Sequence, residues 1–320
     1  MSRTRAAHPG RLPRRLLHRP LLAAAVAVAG AATAFAAAVL PDGNGLPAGR
    51  ASPAVAGTAA GPSAEDRLLH DAEQRLLRDC MRRQGFTYQV FALDEEPGVE
   101  AFPYVLDDSA WAGRHGYGSA LRGQRAARAR SDPNRAYFAA LPPDRKARAL
   151  AAANGPTPRG LSTDLPGGGT VERSGQGCVA ESQDLLYGDV AAWFRASTRV
   201  EALERIRRGR VTADAGYRGP LARWERCMRG AGHPYATPAQ TRAAALSPTR
   251  PLGTAREVAL ALAEVRCGAA SGLAATARRL DAHHAAALAR TYRADVEQWE
   301  RLRAAALPRA RRITGEPPRG

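Results

Sequence analysis

The stretch Cys80-Met81-Arg82-Arg83-Gln84-Gly85-Phe86-Thr87-Tyr88 returns later in the same chain as Cys227-Met228-Arg229-Gly230-Ala231-Gly232-His233-Pro234-Tyr235, with Cys, Met, Arg, Gly and Tyr at identical offsets. Each copy has a downstream partner of the form C-x-A-x-S, Cys178-Val179-Ala180-Glu181-Ser182 and Cys267-Gly268-Ala269-Ala270-Ser271. The chain reads as a divergent duplication with two cysteines per half. Four cysteines allow three pairings. If each half is one unit, Cys80 pairs with Cys178 and Cys227 with Cys267, and each bond ties the end of a short helix to a longer one. Neither a C-x-x-C spacing nor a neighbouring histidine suggests a metal or a thiol nucleophile, so the four sulfurs are read as structural.

Working outward, Ser63 and Asp66 have the form of a helix start, a hydroxyl cap with an acid three residues on. Leu68/Leu69, Ala72, Leu76/Leu77 and Cys80/Met81 then draw one apolar stripe, and Gly85 ends it. A short strand is expected at 86–93. From Asp94 to Gly177 the chain is rich in Gly and Pro and reads as a loop-rich insertion, interrupted by a helix from Pro143 to Asn154. Arg122, Arg125, Arg128 and Arg130 lie at helical spacing and read as an exposed face. A second long helix starts near Gly177-Cys178 and ends near Gly209. In the second half Gly219-Pro220 opens a helix through Trp224, Cys227 and Met228, stopped by Gly232 and Pro234, and a loop with Pro238, Pro248 and Pro251 follows. Capped by Thr254, the stretch 254–306 carries Val258, Leu262, Val265, Leu273, Leu280, Leu288, Val296, Trp299 and Leu302 without a proline. It is expected as a long C-terminal helix, one piece or two, with Gly268 and Gly272 as the places to bend. The fold class is mainly α. The expected organisation is a leader at 1–40, a disordered linker at 41–62, helical halves at 63–210 and 211–307, and a disordered basic tail at 308–320.

The leader has Arg14-Arg15 and Arg19 ahead of an uncharged run of 20 residues, 21–40, closed by Pro41-Asp42-Gly43. That is the composition of an export signal. Its length matches a membrane span, whereas its 11 alanines and the small-x-small sites at Ala34-Phe35-Ala36 and Ala36-Ala37-Ala38 suit a cleaved signal peptide. Both readings put residues 64 onward outside the cytoplasm, either secreted or anchored in the plasma membrane by residues 21–40. With no cysteine after the run, lipid modification is excluded. The net charge is +17, yet only one of 47 basic residues is lysine and six arginines (Arg3, Arg5, Arg11, Arg14, Arg15, Arg19) belong to the leader. The charge reads as a solvated basic surface, with anionic wall polymers or lipid head groups as the partners it suits. Nucleic acid is disfavoured by the export signal.

The combination of the C-M-R-x-x-G-x-x-Y element, His115-Gly116-Tyr117-Gly118, Asn134-x-x-Tyr137 with Leu141-Pro142-Pro143, Asn154-Gly155, Gly177-Cys178-x-Ala180-Glu181 with Leu186-Tyr187-Gly188, Trp224-x-x-Cys227-Met228 and Val265-x-Cys267 resembles a group of exported proteins and lipoproteins of actinobacteria. The resemblance covers residues 70–300 and implies an extracytoplasmic, envelope-associated role. This chain departs from the lipoprotein members in lacking a cysteine after the leader.

Candidate sites are few. Trp111, His115 and Tyr117, set among Gly113, Gly116 and Gly118, have a composition suited to a sugar or peptide contact. The same residues also suit a loop folded over the core, which is the reading we prefer. Asp281 and His284, three apart, share a helix face with His283 nearby, but no third metal ligand stands at matching spacing and they read as solvent-facing. The acid pairs Glu95-Glu96 and Asp107-Asp108 read as turn residues. No G-x-S-x-G, H-E-x-x-H, P-loop or G-x-G-x-x-G element occurs, so no catalytic, metal or cofactor residues are assigned. The expected function is that of a non-enzymatic interaction or accessory protein of the cell envelope. The alternative is a wall hydrolase or carbohydrate-binding protein using the Trp111 stretch and nearby acids.

Overall fold

The computed structural model describes residues 61–316. The signal or anchor at 1–40, the linker up to residue 60, and the last four residues lie outside the described residues. The fold is mainly α. In chain order it comprises α1 (Ala64–Arg83), a single 3-10 turn (Val99–Ala101), α2 (Ser109–His115), α3 (Ser119–Arg130), α4 (Pro133–Ala140) and α5 (Pro143–Asn154). A hairpin of β1 (Gly160–Asp164) and β2 (Thr170–Ser174) follows, then α6 (Cys178–Tyr187), α7 (Val190–Ala213), α8 (Ala215–Gly230), α9 (Pro238–Ala245), α10 (Thr254–Ala270), α11 (Leu273–Thr291) and α12 (Arg293–Thr314). The two strands are antiparallel, with Gly160 opposite Ser174 and Asp164 opposite Thr170.

The repeated phrase is a helix stop. Gly85 and Gly232 have φ of 79° and 82°, the left-handed region a glycine enters without a Cβ penalty. In the first copy the Phe86 amide donates to the Met81 carbonyl at 2.9 Å and the Gly85 amide to Arg82 at 3.0 Å. In the second, His233 donates to Met228 at 2.8 Å and Gly232 to Arg229 at 3.1 Å. This pair of bonds is the Schellman motif, which satisfies carbonyls that a helix end leaves open. The shared Met is buried in both copies. The shared Cys, one position before it, forms the disulfide: Cys80 to Cys178 with Cα atoms 5.5 Å apart, and Cys227 to Cys267 at 5.6 Å. Both expected pairings are present, and among the described residues no cysteine is free. The partner phrases are less alike than their sequences. Cys178 opens α6, whereas Cys267 lies in the last turn of α10.

Several expectations are corrected. Residues 86–93 form no strand, and the hairpin stands instead at 160–174, where Pro166 and three glycines supply the turn. The insertion is largely helical. Asp108 caps α2 by accepting from the Trp111 amide at 2.8 Å, and α3 and α4 fill the stretch up to Leu141. The helix from Cys178 breaks at Gly188 in the left-handed conformation, restarts under the Asp189 cap and runs past Gly209 to Ala213, held there by the fully buried Val211. Helix α8 begins before Pro220, at Ala215, because Asp214 caps it. Pro238 opens α9 at the favoured first position, with Thr237 as cap. The long C-terminal helix is three helices. Left-handed Gly272 separates α10 from α11, which meet at a bend of 72°, and Tyr292 separates α11 from α12. The tail is helical to Thr314: Ala310 is buried, Ile313 packs with it, and Arg309 donates to the Leu186 carbonyl at 2.7 Å. Those contacts outweigh the roughly 3 kcal/mol that Pro308 costs inside a helix.

Packing does not divide at residue 210. One core joins α1, α6, α7 and α12 through Leu68, Leu69, Leu186, Trp193, Trp299 and Ala306. Another joins the 99–117 segment to α8, α10 and α11 through Phe102, Leu106, Trp111, Trp224, Met228 and Leu273. Each half thus lends an element to the other's core. A third, smaller cluster surrounds the Cys80–Cys178 bond with Met81, Phe86 and Ala153. No single described helix is long and apolar enough to cross a membrane.

Candidate functional site

Trp111, His115 and Tyr117 converge on the interior, on a helix and turn where a binding loop was one reading. Trp111 is buried, its ring 5.0 Å from that of Phe102, and its indole N–H donates to the Pro97 carbonyl at 3.1 Å. His115 at the end of α2 places Nε2 3.0 Å from a Glu96 carboxylate oxygen. Tyr117 is fully buried. Between them Gly116 turns the chain with φ 61° and ψ −116°, and a Cβ there would lie 2.7 Å from Glu257 Cγ.

That close approach belongs to a polar centre built by α10. Glu257 and Glu264 stand seven residues apart on the buried face of the helix. One oxygen of Glu257 accepts from the Tyr117 amide at 2.8 Å and the Ser119 amide at 3.0 Å, and the other accepts from the Ser119 hydroxyl. The Ser119 amide opens α3, whose own cap residue, Gly118, has no side chain to offer, and the Tyr117 amide lies in the turn just before it. Glu257 therefore caps α3 from another helix. Glu264, with no exposed surface, accepts from the Leu106 amide at 2.9 Å and contacts the Tyr117 and Thr241 hydroxyls. Burial raises the Glu264 carboxyl, opposed by these hydrogen bonds and by the positive charge of Arg242. Tyr117 is raised as well, chiefly by burial.

A second polar centre lies between α1 and α6. Gln183 Nε2 donates to Glu73 at 2.9 Å, Arg173 donates to Gln183 Oε1, and Tyr187 stacks on Trp193 with centroids 3.5 Å apart. Burial raises Glu73 and lowers Arg173. Nearby, Asp66 is both the acid of the α1 capping box and the partner of buried Arg303 on α12, at 2.7 Å. Beside the first disulfide an open cleft of about 310 Å³ is lined by Gln84, Pro156, Gln176 and Glu181.

Of the residues read as solvent-facing, His283 is exposed, whereas Asp281 and His284 are engaged between helices. Asp281 pairs with Arg207 of α7 at 3.0 Å and accepts from Tyr104, and His284 lies 3.0 Å from Asp214 at the head of α8. The Gly216 amide, and after it His284, hold the Asp214 carboxyl below its ordinary value. Among the described residues no group of three or more His, Cys, Asp or Glu side chains could hold a metal ion. The adjacent acids have structural tasks: Asp108 caps α2, Asp107 pairs with Arg278, and Glu96 with His115.

Sequence reading missed Glu257, Glu264, Asp66's partner Arg303, and the Glu73–Gln183 pair. The one signal for the α10 residues was their seven-residue spacing on a helix, two turns apart on one face. Comparison with protein-family models, with curated proteins and with solved structures finds no match.

The surface offers a different feature. No residue of α3 is buried, the helix carries Arg122, Arg125, Arg128 and Arg130, and it has no acid of its own. Arg125 and Arg128 reach Asp94 at 2.8 Å, while among the described residues Arg122 and Arg130 have no ion pair.

Proposed function

We propose that the chain is an exported protein of the cell envelope, secreted or held in the plasma membrane through residues 21–40, that acts by binding and has no chemistry of its own. Its partner is an anionic wall polymer or an envelope protein with an acidic face. The observation that carries this reading is α3, a helix without one buried residue, on which Arg122, Arg128 and Arg130 are exposed and Arg122 and Arg130 have no ion pair among the described residues. A helix of this length is marginal unless its surroundings support it. Here Glu257, Leu121 and the pairs that Arg125 and Arg128 form with Asp94 hold it in place, so Arg122 and Arg130 are displayed on a rigid support. Two disulfides suit an oxidising compartment. The arginine-flanked run at 21–40 and the resemblance to exported actinobacterial proteins support the same location.

The test is sedimentation of the folded chain with cell walls, and with walls stripped of their anionic polymer, across a salt series. Binding should require the polymer and weaken with added salt, and Arg122→Glu with Arg130→Glu should reduce it several-fold. Equal sedimentation with stripped walls would refute the partner assignment. Release of soluble wall fragments would refute the non-enzymatic reading and favour the hydrolase.

A further inference from the structure

The contacts of Glu264 do not balance if its carboxyl group is ionised. Its Oε2 meets the Tyr117 hydroxyl and the Thr241 hydroxyl, and the Thr241 oxygen also lies 2.7 Å from the Pro238 carbonyl. Three contacts therefore run in a row from Tyr117 to Pro238. Two hydroxyls bring two protons. With an ionised carboxylate the single Thr241 proton has to serve both the Glu264 and the Pro238 contacts, leaving one of them a bare pair of oxygens or both as weakened halves of a three-centre bond. A proton on Oε2 completes the row: Tyr117 donates to Glu264, Glu264 to Thr241, and Thr241 to the Pro238 carbonyl. Glu257 on the same helix face differs, because each of its three contacts arrives with a proton of its own, from two amides and one hydroxyl.

The surroundings agree. Glu264 forms no ion pair among the described residues. The cation nearest to it in effect, Arg242 of α9, spends its guanidinium on the Phe102 carbonyl. On the other packed elements, Arg278 of α11 is paired with Asp107, Arg223 of α8 donates to the Ser271 carbonyl at 3.0 Å, His115 of α2 faces Glu96, and Tyr217 of α8 is an uncharged phenol. An isolated carboxylate without exposed surface is costly to desolvate.

We propose that Glu264 is a neutral carboxylic acid in the folded protein at neutral pH, and that its proton is the latch joining α9 and the 106–117 segment to α10. The latch is sensitive to alkali. Burial raises this carboxyl above 4.5, its ordinary value, so the folded state holds the proton more tightly than the unfolded chain. Its contribution to stability is complete below the unfolded value and is lost as pH rises through the folded one, by about tenfold in the folding equilibrium per pH unit between the two.

Glu264→Gln tests this, since an amide keeps a donor where the neutral acid has one. Infrared difference spectra of wild type minus Glu264→Gln at pH 7 should show the carbonyl band of a protonated carboxyl group. Urea midpoints should show the variant gaining on wild type as pH rises from 5 to 9. Loss of a carboxylate band alone, or a variant that falls behind wild type with rising pH, would overturn the proposal. Should the variant not fold, wild type with ¹³C-labelled glutamate provides the same decision. One carboxyl resonance should remain protonated at pH 7 and should shift in Thr241→Val. If no protonated resonance responds to Thr241→Val, the proposal is wrong.

Discussion

Replacing Gly85 or Gly232 by alanine isolates the backbone cost of the repeated helix stop. Both residues sit in the left-handed region, and a Cβ built on either meets no atom within 4 Å. Nothing but the backbone conformation opposes the substitution. An L-residue in that region costs about 1–2 kcal/mol. Part of this, about 0.4–1 kcal/mol, is offset because alanine also restricts the unfolded chain. The net expectation is a loss of about 1 kcal/mol at each position, a fall in Tm of about 2–4 °C for a domain of this size. Urea denaturation with the disulfides intact is the assay. Asparagine, which tolerates this conformation, should cost less than alanine at both sites. Gly116→Ala is the contrast, because its Cβ would lie 2.7 Å from Glu257 Cγ and disturb the carboxylate that caps α3, so its loss should be clearly larger. If alanine is neutral at 85 and 232, or if asparagine costs as much as alanine there, the helix stop is not what the two glycines are for.

The disulfides close sequence separations of 98 and 40 residues, for which chain entropy assigns about 5 and about 4 kcal/mol as upper values. Paired Cys→Ser substitutions should lower the urea midpoint in that order, and peptide mapping without reductant should recover 80 linked to 178 and 227 linked to 267. Arg303→Met removes the partner of a buried Asp66 and the cation over Trp299, 4.8 Å from its centroid. It should cost about 3 kcal/mol, and adding Asp66→Asn should recover part of that loss, since the uncompensated charge is then gone as well.

The sequence alone determined the cysteine pairing, the start of α1 at Ser63, its stop at Gly85, the span of α5 and the mainly helical class, because each rests on local chemistry: a cap, a stripe, a glycine, a repeat. The buried face of α10 shows what local chemistry leaves open. Val258, Leu262 and Val265 form the evident apolar stripe, yet all three are only partly buried, and the face turned inward is Glu257, Leu260, Ala261, Glu264, Cys267 and Gly268. Small residues let the 99–117 segment approach closely: a Cβ on Gly268 would lie 3.1 Å from Val105. The two glutamates are admitted because that segment brings amides and hydroxyls to meet them. Those donors come from more than 130 residues earlier in the chain, and no periodicity within α10 records their arrival. Pro308 and Gly209 are similar cases. Both read as helix ends, and packing against partners distant in sequence carried the helices through them. The Trp111 stretch, open in sequence to either a binding loop or a cover for the core, was decided by the Asp108 cap and by the apolar surface of α10 and α8, which only the folded chain places beneath it.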